Sequence, residues 1–144
     1  MKRVNVFLLC VLLLIGSIPF PAAAADHDIV PYYNNTVTAN SYFTISENGT
    51  ATVTVSYRGV SGLTTGATIT TKIQKRTLGL IWTNVDIGTE DNVWVDEATG
   101  FSYSTSHSID LNSTGTYRAV VDFVIRGSGG ADDVIEDICT AEYN

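Results

Sequence analysis

Two histidines, His27 and His107, are the only imidazoles in the chain, and they set the first question, whether anything here can act as a general base. His107 lies in Ser106-His107-Ser108-Ile109-Asp110, so hydroxyl, imidazole and carboxylate occur together on paper. Such a set performs acyl transfer only when the three side chains converge. Successive side chains of an extended strand point to opposite faces, which separates His107 from both serines. His107 is therefore read as a hydrogen-bonded or solvated residue, and no catalytic residue is assigned. No G-x-S-x-G, H-E-x-x-H, phosphate-loop or dinucleotide fingerprint occurs.

Fifteen carboxylates are the next resource. Asp86, Glu90 and Asp91 fall in one turn-rich stretch, and Asp132 and Asp133 in another, with Glu136 and Asp137 just beyond. Hard oxygen ligands on turns suit calcium, although the EF-hand loop pattern is absent. Structural calcium on Asp86, Glu90, Asp91, Asp132 and Asp133 is the one metal the sequence suggests, and no other cofactor is implied. Paired acids for glycoside hydrolysis would need a deep cleft, which a small sandwich rarely provides.

Aromatic rings offer a third chemistry. Trp82, Trp94 and Tyr103, together with Phe101, Tyr32 and Tyr33, would stack against sugar rings if they were exposed and coplanar. The competing reading is structural. Trp82 alternates with Leu80 and Asn84, and Trp94 stands between Val93 and Val95, so either ring can belong to the core.

The elements that must position these groups are strands. Beyond residue 26 no helical period is sustained, and apolar residues recur every second position between turn signals. Val37 to Ile45 and Ala51 to Tyr57 form a first hairpin around Asn48-Gly49, a pair that tolerates the positive φ of tight turns. Ala67 to Ile73 and Leu80 to Val85 form a second, connected through Thr77-Leu78-Gly79. Val93-Trp94-Val95 follows an acidic loop. Phe101 to Leu111 alternates, with a phase change expected to turn Ile109 and Leu111 to the core. Tyr117, Ala119, Val121, Phe123 and Ile125 make the clearest buried stripe, and Val134 to Tyr143 is the last strand. Seven or eight such strands predict an all-β antiparallel sandwich.

The passage Leu111-Asn112-Ser113-Thr114-Gly115-Thr116-Tyr117-Arg118-Ala119 resembles the tyrosine corner of immunoglobulin-like sandwiches. Leu111, Gly115 and Tyr117 would then be structural, and Ala119 stands where antibody domains carry a cysteine. Lys72-Ile73-Gln74-Lys75-Arg76 followed by Trp82-Thr83-Asn84-Val85 is similar to the central hairpin of small secreted Ig-like proteins of Gram-positive bacteria. The resemblance covers roughly residues 67 to 126. It implies an immunoglobulin-like fold and an extracellular address, and transfers no activity.

The N-terminus reads the same way. Lys2 and Arg3, the apolar run Val6 to Ile15 and the small-residue exit at Ala23 and Ala25 form a secretory signal peptide over residues 1 to 25, leaving one domain over 26 to 144. About 20 apolar residues are needed to span a bilayer, so no membrane span is expected after cleavage. Losing Lys2 and Arg3 takes the net charge from −7 to −9. That acidity argues against nucleic acid and against anionic lipid as partners. Cys139 becomes the single cysteine, which excludes an intradomain disulfide and is expected to be a small buried residue. Sequons begin at Asn34, Asn48 and Asn112.

The leading expectation is a secreted, non-enzymatic Ig-like domain acting in surface binding or adhesion, toward a protein or glycan at the cell envelope or on a host. Carbohydrate recognition through exposed aromatics is one alternative, and a small hydrolase or toxin with an unrecognised site is another.

Overall fold

The computed structural model describes residues 32–144; the segment read as a signal peptide, with its expected cleavage site, and His27 lie outside them. Eight strands follow in order: β1 (Thr36–Ile45), β2 (Thr50–Gly59), β3 (Thr64–Thr77), β4 (Ile81–Asn84), β5 (Trp94–Thr99), β6 (Ser102–Asp110), β7 (Gly115–Gly127) and β8 (Asp133–Tyr143). They build two antiparallel sheets, one in the order β1-β2-β6 and one in the order β4-β3-β7-β8. β7 runs along one edge of the long β3, while β4 and β5 share the other, at Gln74–Thr77 and Gly66–Thr71 respectively. The described residues form a β-sandwich, and no disulfide occurs among them.

Strict alternation explains why these segments pair as they do. Ala51, Val53, Val55 and Tyr57 of β2 meet Ile69 and Ile73 of β3 and Ala119, Val121, Phe123 and Ile125 of β7 in a single core. Full burial of each larger side chain is worth about 1.5–3 kcal/mol, so these three interior strands, mostly apolar on their inner faces, hold the sheets together. A one-residue slip would turn every one of these residues to water, which locks the register.

The corner between β6 and β7 is closed by Tyr117, whose hydroxyl donates to the Ser113 carbonyl at 2.5 Å. Leu111 is buried just ahead of it, and Gly115 takes φ +142. Lys75 crosses from β3, its ammonium 5.5 Å from the Tyr117 ring and donating to Ser113 Oγ at 2.6 Å.

Three local expectations are corrected. The first turn uses Gly49 alone at positive φ (84°): Gly49 N–H donates to Ser46 O and Ser46 N–H to Thr50 O, both at 2.9 Å, a longer loop than an Asn-Gly pair would make. β6 keeps one phase throughout, with Tyr103, Thr105, His107 and Ile109 all inward and all half-buried. Ile109 and Leu111 do reach the core, by this uninterrupted alternation and not by a change of phase. β8 begins one residue earlier than expected, at Asp133.

Candidate functional site

The sandwich has two lateral seams, one between β5 and β6 and one between β1 and β8, where edge strands of the two sheets face each other. Sequence-predicted residues fill both. At the β5–β6 seam Trp94 and His107 stack, ring centres 4.9 Å apart and planes within 9°. His107 Nε2 meets Asp96 Oδ2 at 2.8 Å, and the Tyr103 hydroxyl donates to Asp96 Oδ1 at 3.4 Å. Trp94 and Tyr103 are thus brought together, but as half-buried parts of a seam, with one ring face and one hydroxyl already engaged.

His107 has no serine partner there. Ser106 and Ser108 point to the opposite face, where they bond Thr54 and Thr52, and Asp110 accepts from Thr50 Oγ1 at 2.7 Å. Asp96, eleven residues before His107, takes the role of carboxylate partner. No local pattern in the sequence announces it, since the pairing depends on two sheets meeting.

Trp82 lies apart from Trp94, on the outer face of the larger sheet. The Arg118 guanidinium covers its ring at 4.4 Å and Arg76 stands 6.0 Å away. Arg118 is itself positioned by Gln74, to which its Nε donates at 2.8 Å. The two tryptophans therefore do not form a common platform.

The acids also separate. Asp86 caps its own turn by accepting from Gly88 N–H at 2.9 Å, while Glu90, Asp91 and Asp132 are exposed on loops. Asp133 is the clearest departure from expectation, for it is buried and wholly committed to the β1 end. It accepts from Asn34 N–H and Asn35 N–H at 2.8 Å each and from Thr36 Oγ1 at 2.7 Å. Burial pushes its pKa up, but these hydrogen bonds together outweigh burial and hold the carboxyl below its ordinary value. Further along the same seam Asp137 Oδ2 accepts from Ser41 N–H and Ser41 Oγ at 2.8 Å. Half-buried Cys139 donates to Ser41 O at 3.3 Å. No group of three or more His, Cys, Asp or Glu side chains suited to a metal ion occurs among the described residues.

The broadest chemically uniform surface takes in Ser106, Ser108 and Asp110 but none of the aromatic or calcium candidates. Register places Thr38, Asn40, Tyr42 and Thr44 of β1, Thr50, Thr52, Thr54, Ser56 and Arg58 of β2, and Ser102, Ser104, Ser106, Ser108 and Asp110 of β6 on one outer face. Thr52 and Ser108 bond across strands at 2.9 Å, and Thr54 and Ser106 at 2.8 Å. Tyr42, 66% exposed, is the one aromatic on this face. Arg58 and Asp110 stand at opposite ends, so the face carries no net charge. The signal was present as alternation in β2 and β6, where the non-core positions are almost all Ser or Thr, but only the pairing of the two strands makes it a surface.

No protein family and no curated protein matches the chain. Among solved structures the chain is similar to wild-type OgpA from Akkermansia muciniphila at 15% identity and a TM-score of 0.43, over 78% of this chain and 29% of that one. A likeness this distant carries no argument about function, and the chain spans less than a third of that protein's length.

Proposed function

We propose that the protein is an exported, non-enzymatic binding module with an immunoglobulin-like sandwich, and that it engages a neutral glycan through the outer face of the β1-β2-β6 sheet. The observation that carries this reading is the hydroxyl array with its single exposed phenol ring. At about 3.4 Å per residue and about 4.8 Å between strands, the face measures about 27 by 10 Å, room for a chain several sugars long.

Each Ser or Thr hydroxyl both donates and accepts, which is the hydrogen-bonding character of a sugar hydroxyl. Tyr42 adds a flat apolar surface for the C–H face of one ring. Absence of net charge favours a neutral polymer over a phosphorylated or acidic one. The immunoglobulin-like assignment is supported by the sheet orders and by the Tyr117 corner; export is supported by the N-terminal charge and apolar pattern. A non-enzymatic role is supported by the placement of Ser106 and Ser108 on the face opposite His107, which leaves the His107–Asp96 pair without either neighbouring hydroxyl as a nucleophile.

Affinity electrophoresis through gels containing neutral polysaccharides tests the reading. Retardation by at least one neutral polymer is expected, weakened about tenfold by Tyr42→Ala, a change equivalent to about 1.4 kcal/mol. Thr54→Lys should abolish it, and Trp82→Ala should leave it intact. Equal retardation of the wild type and Tyr42→Ala, or no retardation by any neutral polymer, would overturn it.

A further inference from the structure

The β3–β4 hairpin ends in Thr77-Leu78-Gly79-Leu80-Ile81, and its apex is apolar and uncovered. Leu78 is 86% exposed, Leu80 84% and Ile81 57%. Leu78 and Gly79 both take positive φ, 53° and 71°, with Leu80 N–H donating to Thr77 O at 3.2 Å. A large aliphatic residue is a poor occupant of left-handed backbone, where Gly or Asn fits without strain. The chain thus holds a leucine at a turn apex against both backbone preference and hydration, the combination found where an exposed apolar tip has a task.

The chemistry behind the tip is ordered along the hairpin axis. Arg76 is opposite Trp82, and the guanidiniums of Arg76 and Arg118 approach that ring. Below them Gln74 Nε2 donates to Asn84 Oδ1 at 2.8 Å. From the apex inward the order is aliphatic, then indole with two cations, then neutral polar. A leaflet likewise presents acyl chains and then an interface where aromatic rings and anionic headgroups lie together, which matches the aliphatic apex followed by the indole and its two cations. At about 3.4 Å per residue Trp82 lies about 7 Å below Leu80, within the depth of about 5–10 Å to which interfacial elements enter.

The net acidity that argues against anionic lipid for the chain as a whole is not carried by the segment around this tip. No Asp or Glu occurs between Glu47 and Asp86, whereas Lys72, Lys75 and Arg76 lie in β3. Charges farther than about 10 Å are largely screened at moderate salt. We infer that the β3–β4 tip inserts into the surface of a membrane with anionic headgroups, with Leu78, Leu80 and Ile81 entering the acyl boundary and Arg76 and Arg118 meeting phosphates. This is surface insertion and not a span, and it is independent of the glycan face.

Co-sedimentation of the secreted form with vesicles of phosphatidylcholine alone, and of phosphatidylcholine mixed with phosphatidylglycerol, tests the inference. Binding to the mixed vesicles is expected. It should fall about tenfold or more in Leu78→Asp/Leu80→Asp, because the inserted methylenes supply most of the partition energy. Arg76→Gln should reduce the preference for anionic vesicles, and Tyr42→Ala should change nothing. Leu78→Gly should weaken vesicle binding without lowering the melting temperature, since glycine relieves the positive φ; a leucine kept for the fold would give the opposite pattern. Vesicle binding unaffected by Leu78→Asp/Leu80→Asp would overturn the inference, as would no binding to either vesicle. Self-association in sedimentation velocity that the double substitution abolishes, without vesicle binding, would assign the tip to a second copy of the chain and also overturn it.

Discussion

The two lateral seams of the sandwich are closed by the same functional group used in two different ways. Between β1 and β8, Asp133 receives two backbone N–H groups and a threonine hydroxyl from one short segment, Asn34 to Thr36. Between β5 and β6, Asp96 receives side chains only, His107 and Tyr103, under the Trp94 ring. A carboxylate bound to backbone amides substitutes for a missing strand ladder, so it governs whether the edge is attached at all. A carboxylate bound to side chains trims an edge already held by apolar packing. The first is therefore expected to dominate stability, the second to shape a surface.

Substitution separates the two roles. Asp133→Ala should cost about 3–5 kcal/mol in urea unfolding, because it strands several buried donors at once. A loss equal to or smaller than that of Asp96→Ala would break the comparison. Acid should then reveal the same group. Its folded pKa lies below the unfolded value of about 3.9, so its contribution is complete above that value and is lost as pH falls through the folded pKa. Wild-type stability should drop steeply below about pH 4, and this component should vanish in Asp133→Asn.

Asp96→Ala is expected to cost about 1–2 kcal/mol, since its partners sit near solvent and regain water when freed. The sharper readout is near-ultraviolet circular dichroism, where a loosened Trp94–His107 stack should appear even when the melting temperature hardly moves. The smallest effect belongs to Cys139→Ser, below about 1 kcal/mol, because the Ser41 carbonyl retains a hydroxyl donor in place of the thiol.

The strands themselves were legible from residue alternation. Ala51 to Tyr57 and Tyr117 to Ile125 are inward in the structure as in the pattern, because a half-buried strand writes its burial into every second residue. The seams were not legible. Asp133 and its partners are separated by almost a hundred residues, and a carboxylate in a turn-rich stretch looks the same whether it faces water or a strand edge. For that reason the sequence groups Asp133 with Asp132 as a calcium candidate, and sets His107 beside its neighbouring serines and not beside Asp96. The tryptophans show a related limit, for alternation marks a side but not what lies over it. Trp82 is covered by an arginine from β7 and Trp94 by a histidine from β6.

By itself the sequence determined an all-β sandwich of seven or eight strands and its main core stripe, because both follow from local periodicity. Tertiary structure decided which non-core positions became one surface. The Thr and Ser residues of β2 and β6 form a hydroxyl face only because those strands are neighbours in register. Likewise Arg118 reaches Trp82 only because β7 lies beside β3. Neighbourhood across a sheet is set by how hydrophobic faces pack globally, and no local window of residues contains that information.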